Sequence, residues 1–195
     1  MSQEIAVDVA ILPPPALRQR AIELSAALPR DGSHDLVLDE DHLPHITLTQ
    51  CFLRVDELGA AWDRVEEVLR AQAPLTLQVT GGGKGSSSLS MSIERTPAIV
   101  ELHERLMEAL RGFERPGGTP AAFFDGDARV ADVLWVTGYR LGSSFGAFNP
   151  HITLGHGDQP PDIEPLTFVA DTVGACHLGR YCSCRRVLRS WDLIG

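Results

Sequence analysis

The segment Pro44-His45-Ile46-Thr47-Leu48 returns letter for letter as Pro150-His151-Ile152-Thr153-Leu154, about a hundred residues further on. On an extended strand, side chains alternate between faces, so His45 and Thr47 share one face while Ile46 and Leu48 share the other. The second copy repeats this arrangement with His151 and Thr153 against Ile152 and Leu154. The aliphatic pair can anchor each strand in a core, which leaves the polar pair for a cleft. One copy would carry little weight. Two copies, one in each half of the chain, point to a duplicated module that brings both polar pairs to a shared site.

The elements around the motifs follow from pattern. Glu4–Leu12 is a β-branched run stopped by Pro13, Pro14 and Pro15, which open a helix expected over Ala16–Leu28, with Leu17, Ile22, Leu24 and Leu28 inward. The first motif opens a strand reaching about Leu53, and Asp56 is placed to cap a helix over Glu57–Ala71 with an apolar stripe of Leu58, Trp62, Val65, Val68 and Leu69. Leu75–Thr80 and Ser88–Glu94 alternate as strands, so the intervening GGGKGSSS reads as a hairpin connection. It is no P-loop, because Gln78 stands where the first glycine is required and a strand follows. Ala98–Arg111 has helical spacing of Ile99, Leu102, Leu106 and Leu110, and Gly112–Asp127 reads as a loop. Val130–Arg140 is expected to be a strand, GSSFGAFN a flexible link, and Thr167–Ala175 and Arg185–Leu193 two closing strands.

Short connections favour antiparallel pairing, hence an α+β fold in which each half carries a small sheet with flanking helices. The chain, residues 1–195, fits a single domain, and its 44% hydrophobic content is ample to bury one core; a monomer is expected. A net charge of −9 argues against binding long nucleic acid through the overall field, while local arginines can still serve a small phosphate ester. No apolar run is long enough to span a membrane, and the opening MSQEIAVDVA lacks signal-peptide character, so a cytoplasmic protein is expected. Cys51, Cys176, Cys182 and Cys184 do not form a disulfide framework. Cys176, His177, Cys182 and Cys184 fit no zinc spacing, and Cys182 and Cys184 are expected on one strand face, so neither metal nor cofactor is expected.

Paired histidines suit phosphodiester cleavage: one neutral imidazole takes a proton from the attacking oxygen and one imidazolium gives a proton to the leaving oxygen. A threonine hydroxyl two residues along can donate to a non-bridging phosphate oxygen and favour the charge that builds up there. The paired H-I-T-L segments, together with the SLSMSIERTPAIVELHERLMEAL passage and the closing CRRVLRSWDL, resemble the two-histidine phosphoesterase superfamily, including the bacterial RNA 2′,3′-cyclic phosphodiesterases also called 2′-5′ RNA ligases. The resemblance spans nearly the whole chain. It implies a two-lobed α+β fold with a central pseudo-two-fold cleft, metal-independent hydrolysis of a 2′,3′-cyclic phosphate to a 2′-phosphate, and His45, Thr47, His151 and Thr153 as the catalytic four. By the same resemblance His45 protonates the leaving O3′ and His151 activates water, although sequence symmetry leaves these roles interchangeable.

Some bacterial members place an arginine five positions after the second histidine; here His156 stands there, either a substrate contact or an ordinary loop histidine. Phe148, beside His151, and the nearby Tyr139 and Phe145 either stack on a nucleobase or pack in the core. Lys84 is expected in a solvated loop and Arg185, Arg186 and Arg189 on a solvated or ion-paired face. The expected substrates are a cyclic nucleotide or a short RNA 3′ end, the alternatives being an ADP-ribose cyclic phosphate, a 2′-5′ linked oligonucleotide, or a nucleotide-binding module without turnover.

Overall fold

Strand β1 (Glu4–Ile11) is buried on both faces from Ile5 onward, and a strand with no solvent face needs a neighbour on each edge. In the computed structural model, which describes residues 3–29, 36–86 and 88–194, β1 has both. It pairs antiparallel with β2 (Ile46–Arg54) on one edge and with β7 (Thr172–Leu178) on the other. With β8 (Cys184–Asp192) these form a four-stranded sheet in the order β2-β1-β7-β8. The second four-stranded sheet, β5-β4-β3-β6, is built from β3 (Leu75–Lys84), β4 (Ser88–Ile93), β5 (His151–His156) and β6 (Leu166–Ala170). All pairings are antiparallel, so the α+β expectation holds.

The sheets do not divide the chain into halves as expected. The first draws on both ends of the chain and the second wholly on its middle. The run Thr167–Ala175 accordingly breaks at Asp171: β6 pairs with β3, and β7 crosses to β1. Its alternation hides the crossing because both pieces are extended and differ only in their partners.

Helix α1 (Pro15–Ala27) starts at the prolines and buries Leu17, Ala21 and Ser25, with Ile22, Leu24 and Leu28 packed partly against the core. Helix α2 (Leu58–Leu69) carries the expected stripe, and Trp62 meets Trp191 edge to face at 6.2 Å. Asp56 does not cap it: residues Val55–Glu57 form a 3-10 turn first, and the carboxylate binds Arg54 at 2.9 Å instead. Helix α3 (Pro97–Leu110) is capped by Thr96 and buries Ile99, Leu102, Leu106 and Leu110.

Val130–Arg140 is a helix, not a strand, within α4 (Val130–Gly142). Its valines and aromatics look strand-like, but the buried residues are Asp132, Val136 and Tyr139, a helical spacing, and the Asp132 carboxylate, ion-paired with the Arg129 guanidinium, accepts the Arg129 backbone N–H at 2.8 Å where the helix starts. The apolar residues that confuse the pattern, Val130, Leu134, Trp135 and Leu141, are exposed.

Two loops are more structured than expected. The GGGK segment extends β3, with Gly82, Gly83 and Lys84 opposite Met91, Ser90 and Leu89, while Ser87 of the connection lies outside the described residues. The GSSFGAFN link contains a 3-10 turn, Phe145–Ala147, and the Phe145 and Phe148 carbonyls accept hydrogen bonds from Arg95. Among the described residues no helix is long and apolar enough to cross a membrane.

Candidate active site

Strands β2 and β5 are edge strands of different sheets and pack against each other. On each, the aliphatic pair of the motif is sealed in the core: Ile46, Leu48, Ile152 and Leu154 are all at 0% exposure. The polar pairs are half-buried and face a common cavity of about 670 Å³, lined by His45, Thr47, His151 and Thr153 together. That size is typical of small-molecule sites.

The recurring proline has a physical role. A residue before proline is held extended, and in each motif its carbonyl accepts from the imidazole two residues on: Leu43 O lies 2.8 Å from His45 Nδ1, and Asn149 O lies 2.7 Å from His151 Nδ1. A carbonyl only accepts, so both Nδ1 atoms carry hydrogen and both Nε2 atoms are left for proton transfer. Burial pushes the pKa of His151 below the ordinary imidazole value, and the charge of His45 pushes it in the same direction, against the Asn149 hydrogen bond.

The two halves differ at one residue that the motif does not contain. Asp8 of β1 is fully buried, and its Oδ2 accepts from Thr47 Oγ1 at 2.7 Å and from Gln50 Nε2 at 2.8 Å, with His45 Nε2 at 3.6 Å. Burial raises its pKa, opposed by His45, Thr47, Gln50 and the more distant His151. Gln50 is itself oriented by Trp135 Nε1 at 2.9 Å. The signal in the sequence is a carboxylate in the middle of the apolar run IAVDVAIL, where no charge belongs unless it is paired.

Behind β5 the cavity is floored by hydroxyls. Ser92, Ser90 and Ser88 of β4 stand opposite His151, Thr153 and His156. A Cβ on Gly83 would lie 2.5 Å from Ser92 Oγ and 2.8 Å from Ser90 Oγ, so the missing side chain is what gives these hydroxyls room. At the far end His156 tilts against Tyr181 with ring centroids 4.9 Å apart, and the Arg129 guanidinium lies 4.0 Å over the Tyr181 ring. Tyr181 and Cys182 are both left-handed, at φ 61° and 52°, a costly conformation for side chains of this kind. Cys182 therefore sits in a turn, and not on a strand face with Cys184.

Lys84 borders the cavity but is tied to the Asp158 carbonyl at 2.7 Å. Phe148 also borders it, yet the residue is 3% exposed and its ring is stacked on His103, so it has no open face for a nucleobase. Tyr139 is buried as well. Arg189 pairs with Glu66 and Arg185 with the Asp41 carbonyl, an engaged surface.

Asp8, His45 and Cys184 place three potential ligand atoms within 4.8 Å of one another. Burial holds the Cys184 thiol strongly in its neutral form, whereas a metal takes the thiolate.

A family model described as the 2′-5′ RNA ligase superfamily matches residues 13–173. The chain belongs to this superfamily. Members of the 2′-5′ RNA ligase superfamily are phosphoesterase and RNA ligase enzymes, so the chemistry of the chain is of the phosphodiesterase or ligase type. Solved structures share the superfamily's fold with it. The TT0787 protein of Thermus thermophilus superimposes with a TM-score of 0.67 at 17% identity, over 98% of this chain and 99% of that one. The E. coli LigT complex with NADP+ gives 0.64 at 18% identity, over 99% of this chain and all 100% of LigT. LigT complexed with 3′-AMP gives 0.62 at 18% identity over the same shares, 99% and 100%. No curated protein sequence matches the chain.

Proposed function

We propose that the protein is a metal-independent cyclic phosphodiesterase that opens a 2′,3′-cyclic phosphate to a 2′-phosphate. The observation that carries this is the pair of imidazoles facing one cavity, each pinned through Nδ1 to a backbone carbonyl and each with Nε2 open. The roles divide by environment. His151, whose pKa is lowered by burial, is the base. His45, with a carboxylate 3.6 Å from Nε2 to balance an imidazolium, is the acid.

In the reaction a water gives its proton to His151 Nε2 as its oxygen attacks phosphorus. The P–O3′ bond breaks, and O3′ takes the proton from His45 Nε2. The histidines exchange charge and are reset by solvent. Thr47 and Thr153 hold the non-bridging oxygens, and Ser90 and Ser92 extend that polar surface. With an RNA hydroxyl attacking phosphorus in place of water, and O3′ leaving with the proton of His45, the same steps join two ends through a 2′-5′ linkage.

The net charge of −9 favours short substrates. A cavity of about 670 Å³ that continues past the motifs to Arg129, His156 and Tyr181 supports a second substrate class larger than one nucleotide, such as a dinucleotide-sized cyclic phosphate or a 2′-5′ linked oligonucleotide.

The test is a panel of 2′,3′-cyclic nucleotides, an ADP-ribose cyclic phosphate and 2′-5′ linked dinucleotides, with products read by phosphorus NMR. A 2′-monophosphate is the expected product from the cyclic nucleotides. Failure to turn over any of the panel contradicts the proposal, and a 3′-monophosphate contradicts the roles given to the two histidines.

A further inference from the structure

A hydroxyl has one proton to give. Thr153 Oγ1 has no protein partner among the described residues, so its proton is available to a ligand. The proton of Thr47 is committed to Asp8 Oδ2. While Asp8 is ionised, Thr47 can accept but cannot donate towards the cavity, and the two His-x-Thr halves are chemically unequal.

Asp8 is also an unusual carboxylate. It is fully buried, and its Oδ1 has no hydrogen-bond partner among the described residues. The basic side chain nearest its Oδ2 is His45, with Nε2 at 3.6 Å. Other ionisable groups surround it: Cys51 from β2, Cys184 from β8, Cys182 from the turn before β8, Tyr139 from α4, and His151 across the cavity on β5. Burial drives the three thiols and the phenol towards their neutral forms. That leaves the imidazoles of His45 and His151 as the groups of this cluster that can balance the Asp8 carboxylate. A buried charge tolerates neither isolation nor a like-charged neighbour, so an anion entering beside His45 competes with the Asp8 carboxylate for the same imidazolium.

We propose that Asp8 is a positioning residue that couples anion entry to proton uptake. In the free protein the Asp8 carboxylate balances the His45 imidazolium and receives the Thr47 hydroxyl. When a tetrahedral oxyanion enters the cavity it becomes the counter-ion of His45. Asp8 then takes one proton from solvent and donates it to Thr47 Oγ1. The Thr47 hydroxyl is released to donate to the anion, matching Thr153 on the other side. This inference rests on the cavity being the phosphoryl site proposed above.

Sulfate tests it, because its own charge does not change over the range examined. Its dissociation constant is measured by calorimetry from about pH 5 to about pH 8.5, where imidazoles and raised carboxyls titrate. The wild-type protein and Asp8→Asn are compared; the amide is nearly isosteric and cannot ionise. The steepest slope of log affinity against pH is expected to be larger in wild type by close to one proton. At the alkaline end Asp8→Asn is expected to bind about tenfold tighter, within the usual range of coupling between linked sites. Proton uptake by the wild-type protein, read as the difference in heat between two buffers of unlike ionisation enthalpy, needs no variant and is expected to be positive. Parallel curves for the two proteins, or no proton uptake, overturn the role of Asp8. Sulfate binding that survives both His45→Ala and His151→Ala contradicts the location of the phosphoryl site instead.

Discussion

His103 stacks on Phe148 with ring centroids 4.0 Å apart and planes within 5°. The same imidazole, at 0% exposure on α3, donates from Nδ1 to the Leu48 carbonyl and accepts the Phe145 amide at Nε2, 2.8 Å away. One ring thus ties the strand of the first motif to the turn that leads into the second, which fixes the two halves of the site relative to each other.

A protonated His103 cannot accept the Phe145 amide, and burial lowers its pKa, as it does for His151 and His177. A histidine with a depressed folded-state pKa contributes stability that is present above the unfolded value of about 6.5 and is lost as pH falls through the folded value. The thermal midpoint is therefore expected to drop on going from about pH 7 to about pH 5, across the range where imidazoles titrate. His103→Ala is expected to cost about 2–4 kcal/mol in urea unfolding near neutral pH, from the cavity and two orphaned backbone groups. It should also make the acid-side decline shallower. An unchanged pH profile in His103→Ala would contradict this role.

Gly83 and Ser92 make a second prediction. Any Cβ at position 83 meets the hydroxyls of Ser92 and Ser90, which line the cavity beside His151 and Thr153. Serine side chains can rotate away, so Gly83→Ala is expected to leave unfolding stability within about 1 kcal/mol of wild type, the scale of a Gly-to-Ala exchange. It should raise KM for a cyclic nucleotide several-fold with less effect on kcat. Unchanged steady-state constants would mean that these hydroxyls do not meet the substrate.

In the proposed role of base, His151 must be neutral to work, and desolvation together with the charge of His45 lowers its pKa below the ordinary imidazole value. The acid limb of kcat/KM is then expected below about pH 6.5. Restoring an ordinary environment should move it upward. A limb at or above the ordinary value in the wild-type enzyme would contradict the assignment of His151.

The outline of the site is legible in the sequence because strand alternation puts His45 with Thr47 and His151 with Thr153 by geometry alone, whatever the partner strands are. The partners are not legible. Asp171, where the chain passes from one sheet to the other, carries no local mark, because extended backbone has the same period on either side of it. Helix α4 reads as a strand because Val130, Leu134, Trp135 and Leu141 are apolar yet exposed, which blurs the inward spacing of Asp132, Val136 and Tyr139. Asp8 is marked in the sequence only by its place among β-branched residues. Its meaning depends on a contact with Thr47 across 39 positions of sequence, which the fold alone reveals. Phe148 is close to His151 in sequence but is turned into the core by its stack on His103.

The central claim is that two imidazoles, one from each motif, transfer the protons of a metal-independent phosphodiester cleavage. Hydrolysis of a 2′,3′-cyclic nucleotide, measured in excess chelator for the wild-type protein, His45→Ala and His151→Ala, tests it most directly. The expected result is full wild-type activity and a loss in kcat of about 10²- to 10⁴-fold in each variant, with the double variant little worse than either single one. Wild-type rates in either variant, or activity that vanishes with chelator and returns with a divalent metal, would contradict it.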